Sequence, residues 1–112
     1  MRQKYRISHD DAHNQLTISE YAVTDIDFKN VPSAMLPASG FTRLGEETYK
    51  DDQIVPSIAK GVGILVATLR TDNLFPIEPH AVKIAESIVA LYDSNEDQAI
   101  ELIFEDDELI SA

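Results

Sequence analysis

The sequence predicts an α+β chain, a two-layer α/β sandwich in ββααβ order with a small β-sheet packed on an antiparallel helix pair. Three observations predict it. Apolar and polar residues alternate at both ends of the chain, apolar residues between 52 and 92 recur at three- and four-residue steps, and the two strongly charged strand faces carry opposite signs. The expected organisation is one domain over 1–112: a hairpin at 3–23, an irregular covering segment at 25–50, a helix pair at 52–92 and a final strand at 98–104. With 112 residues and 44% hydrophobic content, the chain can hold a core without disulfides, which the absence of Cys excludes in any case.

The first strand places Gln3, Tyr5 and Ile7 on one side and Arg2, Lys4 and Arg6 on the other. The polar group Asp10-Asp11-Ala12-His13-Asn14 reads as a loop, after which Leu16 and Ile18 resume the alternation. Glu20 breaks the apolar phase. Tyr21 and Val23 take up the opposite parity, which predicts a bulge or bend there. Over 25–50, Pro32, Pro37, Gly40 and Gly45 punctuate scattered apolar residues, so this stretch reads as a covering segment or as one holding a short strand, at 26–31 or 41–44.

From 52 to 70 the pattern is helical, with Ile54, Ile58, Val62, Leu65, Val66 and Leu69 on one face and Pro56 in the first turn. A second helix is predicted from Pro79 to Tyr92, where Ala81, Ile84, Ala85, Ile88, Leu91 and Tyr92 form the apolar stripe. Ala59, Gly63 and Ala67 on the first helix and Ala81 and Ala85 on the second are small residues at four-residue steps, which predicts close helix approach. Gly61 and Gly63 together cost the helix about 2 kcal/mol, and that packing is the expected compensation. The last strand puts Ile100, Leu102 and Phe104 on one face and Glu101 and Glu105 on the other. Its acidic face matches the basic face of 2–6, so strand 3–8 is expected beside strand 98–104.

The formal net charge is −11, divided as −1 over residues 1–40, 0 over 41–70 and −10 over 71–112. A surface of this sign repels phosphates, and no direct nucleic-acid contact is expected. No apolar stretch follows the basic N-terminal residues as in a signal sequence, and the longest uncharged run, Gly61–Leu69, is far short of the roughly 18 residues of a membrane helix. The expectation is a cytoplasmic protein with no membrane contact.

No catalytic residue is assigned. Gly61-Val62-Gly63 opens like a dinucleotide fingerprint, but the third glycine position is Val66 and no strand precedes it. His9, His13, Asp10 and Asp11 offer imidazole and carboxylate together, yet such residues commonly build polar turns, and neither metal nor cofactor is expected. His80, beside Glu78 at a helix start, reads as solvated. Asp93-Ser94-Asn95-Glu96-Asp97 spaces oxygens like a calcium loop, but Gln98 replaces its glycine and Phe104 its final Glu.

Three functional readings follow. The first is a small acidic interaction module, homodimeric or bound to another protein, because an open sheet face and sheet edges need cover. The second is an acidic decoy whose Glu101, Glu105, Asp106, Asp107 and Glu108 imitate phosphates and occupy the groove of a basic nucleic-acid-binding partner. The third is a small-molecule or enzymatic site beneath 25–50, lined by Phe28, Met35, Phe41 and Tyr49.

Overall fold

The structure, a computed structural model, describes residues 2–23, 41–71, 78–94 and 99–111. In chain order these form strands β1 (Arg2–Asp10), β2 (Gln15–Val23) and β3 (Phe41–Lys50), helices α1 (Asp51–Lys60), α2 (Val62–Arg70) and α3 (Glu78–Ser94), and strands β4 (Ala99–Glu105) and β5 (Glu108–Ser111). The α+β class holds. The element order differs from ββααβ by three additions, namely a strand at 41–50, a division of the first helix and a short last strand.

The strands make one antiparallel sheet in the order β3-β2-β1-β4-β5. β1 lies between β2 and β4, as its charges require: Arg2 is opposite Glu105 and Arg6 opposite Glu101, and both pairs meet as ion pairs at 3.0 and 3.9 Å. The same register sets Tyr5 beside Leu102 and Ile7 beside Ile100 on the inner face. The predicted shift of parity after Glu20 does not occur against β1, whose register runs unbroken to Gln3 opposite Ala22. Glu20 therefore stays on the inner face, and Tyr21 turns outward beneath the Lys4 ammonium, 4.7 Å from its ring centroid. The irregularity falls on the other side of β2, where Glu20 faces Gly45 and Tyr21 faces Arg43, leaving Leu44 as the extra residue of a bulge in β3.

The alternative of a short strand at 41–44 falls within β3, which extends it to Lys50 in place of the irregular reading, and the bulge explains why the full strand could not be read. Residues 24–40 lie outside the described ones.

The core joins Tyr5, Ile7, Leu16, Ile18, Leu102 and Phe104 from the sheet to Ile54, Leu65, Leu69, Ala81, Ile84, Ala85, Ile88 and Leu91 from the helices. α3 packs over β1 and β4, α1 against β3, and α2 against α1 and α3. α1 begins with a capping arrangement in which the Lys50 amide donates to Gln53 Oε1 at 2.9 Å, and its first turn carries Asp51 and Asp52 where the helix dipole favours acids. Pro56 stands at the sixth residue of α1, beyond the first turn.

The predicted single helix over 52–70 is broken at Gly61, whose φ of 117° and ψ of 160° leave the helical region and would strain a residue with a Cβ. The break resets the helical phase. Leu65, Val66 and Leu69 still face inward, but Val62 is turned out. The expected packing of the small-residue stripe is half correct: Ala81 and Ala85 are fully buried, whereas Ala59, Gly63 and Ala67 face outward and a Cβ at Gly63 would meet nothing within 4 Å.

Candidate functional site

Two polar clusters fasten the ends of β1 to the helices. At one end the Tyr5 hydroxyl and His80 Nδ1 lie 2.8 Å apart, and His80 Nε2 donates to the Asp106 carbonyl at 2.6 Å. A carbonyl only accepts, so Nε2 carries the proton, and in the neutral ring Nδ1 then accepts from the Tyr5 hydroxyl. Burial, with the Glu20 carboxylate next to it, pushes the Tyr5 hydroxyl up, and it keeps the proton that it donates. His80 is fully buried, its ring 4.0 Å from that of Phe104, which corrects its reading as a solvated helix-start residue.

Glu20, 6% exposed, accepts a hydrogen bond from Gln3 Nε2 at 2.9 Å. Burial raises its carboxyl above the usual range, against the opposing pull of that bond. A carboxyl raised in the folded state favours folding while protonated, and its contribution falls as pH rises past the unfolded value of about 4.3. Glu20→Gln keeps the acceptor for Gln3 and removes the charge. It is expected to raise stability at pH 7 by about 1 kcal/mol, and this advantage should vanish below pH 4. Urea unfolding of both proteins across that range checks the sign; a variant less stable than the parent at pH 7 would contradict it.

At the other end of β1, His9 places Nδ1 3.0 Å from Asp11 Oδ1 and Nε2 3.0 Å from Asp51 Oδ1. The Tyr92 hydroxyl donates to the same Asp51 oxygen at 2.6 Å, and its ring centroid lies 4.7 Å from that of His9. Burial, then the Asp51 hydrogen bond and charge, push the Tyr92 hydroxyl up. The Asp51 amide donates to the Asn14 carbonyl at 2.9 Å, so the β1–β2 turn, the start of α1 and the end of α3 meet at one residue, the first by its backbone and the last by its carboxylate. His13 pairs separately with Asp10, and this hydrogen bond holds the Asp10 carboxyl below the usual range. The two loop imidazoles thus serve different carboxylates, and among the described residues no three His, Asp or Glu side chains are placed to hold a metal.

The acidic residues named from the sequence are dispersed in their roles. Glu105 and Glu101 pair with Arg2 and Arg6, the Asp106 carbonyl serves His80, and Glu108 begins β5. Asp106 takes a left-handed φ of 54° in a tight turn, so 105–108 is the turn of the β4–β5 hairpin. Of the predicted pocket, Tyr49 packs against the core, Phe41 begins β3, and Phe28 and Met35 lie outside the described residues. The described concavities are elsewhere. One, of about 500 Å³, is lined by Pro79, Val82, Lys83, Phe104, Asp107 and Leu109; the other, of about 430 Å³, by His13, Asn14, Lys50, Asp51 and Asp52.

The surface that sequence reasoning missed is on the helices. Val55 is 47% exposed, Val62 41% and Ile64 47%, with exposed Pro56 between the first two in sequence. Lys60 is the one charge between Gln53 and Leu69. The uncharged run was visible as a number, but only the break at Gly61 turns Val62 outward. The open sheet face, by contrast, is adapted to water: the Arg–Glu pairs, Lys4 over Tyr21, Ser19 Oγ donating to Glu46, and Arg43 beside Glu46. Its edges are protected by the bulge and charges of β3 and by the four-residue length of β5.

Among the described residues no helix is long and apolar enough to cross a membrane. No protein-family model, curated protein or solved structure matches the chain.

Proposed function

We propose that the protein is a small cytoplasmic interaction module that binds another protein chain through the outward face of α1 and α2. The observation that carries this reading is the exposure of Val55, Val62 and Ile64 in a stretch, 54–68, whose one charge is Lys60. Exposed aliphatic residues on adjoining helices are costly to hydrate, and on a chain of net charge −11 they favour a surface kept apolar for contact. On this reading the helices form one layer over β1, β3 and β4, a two-layer sandwich whose binding face is helical. The open sheet face, which first suggested association, is already adapted to solvent, and the exposed aliphatic residues of the edge strands, Leu44 on β3 and Ile110 on β5, stand singly. The decoy reading is less well supported, since Arg2 and Arg6 neutralise two of its five acids.

The test separates an interaction surface from a buried one. Val62→Asp with Ile64→Asp, unfolded by urea at a dilution where light scattering shows single chains, is expected to change stability by less than about 1 kcal/mol. Both positions face outward, and acids in the first turn of a helix are electrostatically favoured. A loss of about 3 kcal/mol or more would show that the chain covers this face itself and would sink the proposal.

A further inference from the structure

We propose that the partner of this face is a second copy of the chain, and that the two copies pack α1 against α1 in antiparallel register centred on Pro56. The inference rests on the interaction reading above and adds its occupant and geometry.

The outward side of α1 carries Asp52, Val55, Pro56, Ala59 and Lys60, all exposed. Asp52 precedes Pro56 by four residues and Lys60 follows it by four, so all three lie along one stripe of the helix. A two-fold rotation about an axis through Pro56 reverses this stripe. It brings Asp52 of each copy opposite Lys60 of the other, about 12 Å along the helix from the second, identical ion pair. Val55 and Ala59 meet between the charges, and Val62 and Ile64 flank them from α2. An antiparallel approach also sets the acidic first turn of one helix beside the basic last turn of its mate, so the two helix dipoles oppose.

Charge also argues for this face over others. Residues 71–112 hold −10 of the net charge, so most approaches of two copies are repulsive, whereas residues 41–70 sum to zero. Among the described residues Asp52 and Lys60 make no ion pair of their own. The exposed ring of Pro56, unusual inside a helix, gives the crossing point an apolar surface without a long side chain.

The experiment is mass measurement by light scattering and sedimentation over a concentration series for the full chain and three variants. The parent is expected to reach twice the 12.5 kDa chain mass. Asp52→Lys alone, or Lys60→Asp alone, places like charges opposite each other twice and should weaken the dimer about tenfold, less at high salt. The double variant D52K/K60D restores both pairs and should restore the dimer. Damage to α1 itself cannot produce that recovery, because both exchanges oppose the helix dipole and their costs add. A parent that stays a single chain at every concentration overturns the second-copy assignment while the Val62/Ile64 stability test decides the interaction reading separately. A dimer indifferent to the single exchanges, or one the double variant fails to restore, overturns the register.

Discussion

Replacing His80 with Ala is expected to lower the free energy of unfolding by about 3–5 kcal/mol, a large part of the roughly 5–15 kcal/mol that holds a domain of this size. Three losses combine. The Tyr5 hydroxyl loses its acceptor, the Asp106 carbonyl loses its donor, and a void opens against the Phe104 ring. A buried polar group that loses its hydrogen bond costs about 1–3 kcal/mol, the Tyr5 hydroxyl being the buried one here. Tyr5→Phe alone leaves Nδ1 unsatisfied and should cost an amount in that range. The two substitutions share one hydrogen bond, so a double-mutant cycle by urea unfolding should show Tyr5→Phe costing less once His80 is gone. Strictly additive costs would mean that the bond carries no stability.

The second large effect is expected at Asp51. Asp51→Ala removes the acceptor for the Tyr92 hydroxyl and for His9, whose side chain is only 7% exposed, and should cost about 2–3 kcal/mol. Asp51→Asn retains an oxygen for Tyr92 and should cost less than half as much. Because the backbone bond from residue 51 to the Asn14 carbonyl depends on the same junction, exchange of that amide should quicken in the Ala variant and stay slow in the Asn variant. Equal destabilisation by Ala and Asn would place the role of Asp51 in its charge and not in its hydrogen bonds.

Much of the sheet was legible because its signals are local. The alternation of Tyr5 and Ile7, of Leu16 and Ile18, and of Ile100, Leu102 and Phe104 needs only a period of two, and the opposite signs of Arg2, Arg6, Glu101 and Glu105 supplied the partner strand. β3 was hidden for two physical reasons. Leu44 is an extra residue that shifts the parity, and the inner face of the strand carries exposed Glu47 where burial would have left an apolar mark. The turn of Val62 to solvent depends on the positive φ of Gly61, a choice glycine permits without announcing it. His80 gave no sign of burial, since its partners, Tyr5 and the Asp106 carbonyl, lie 75 and 26 residues away. Val62 of the candidate interaction face was accordingly read into the core stripe.

The position of β1 in the sheet has a kinetic consequence. This strand pairs on one side with β2, which follows within a few residues, and on the other with β4, where Arg2 meets Glu105 across 103 residues of chain. A ribosome therefore delivers β1 and β2 before β4, and one edge of β1 must wait unpaired through the synthesis of the three described helices. Contacts this distant in sequence slow folding, because the intervening chain must be ordered before they form. In the nascent chain the basic side chains of Arg2, Lys4 and Arg6 keep that waiting edge soluble, and the same charges draw in β4 when it arrives.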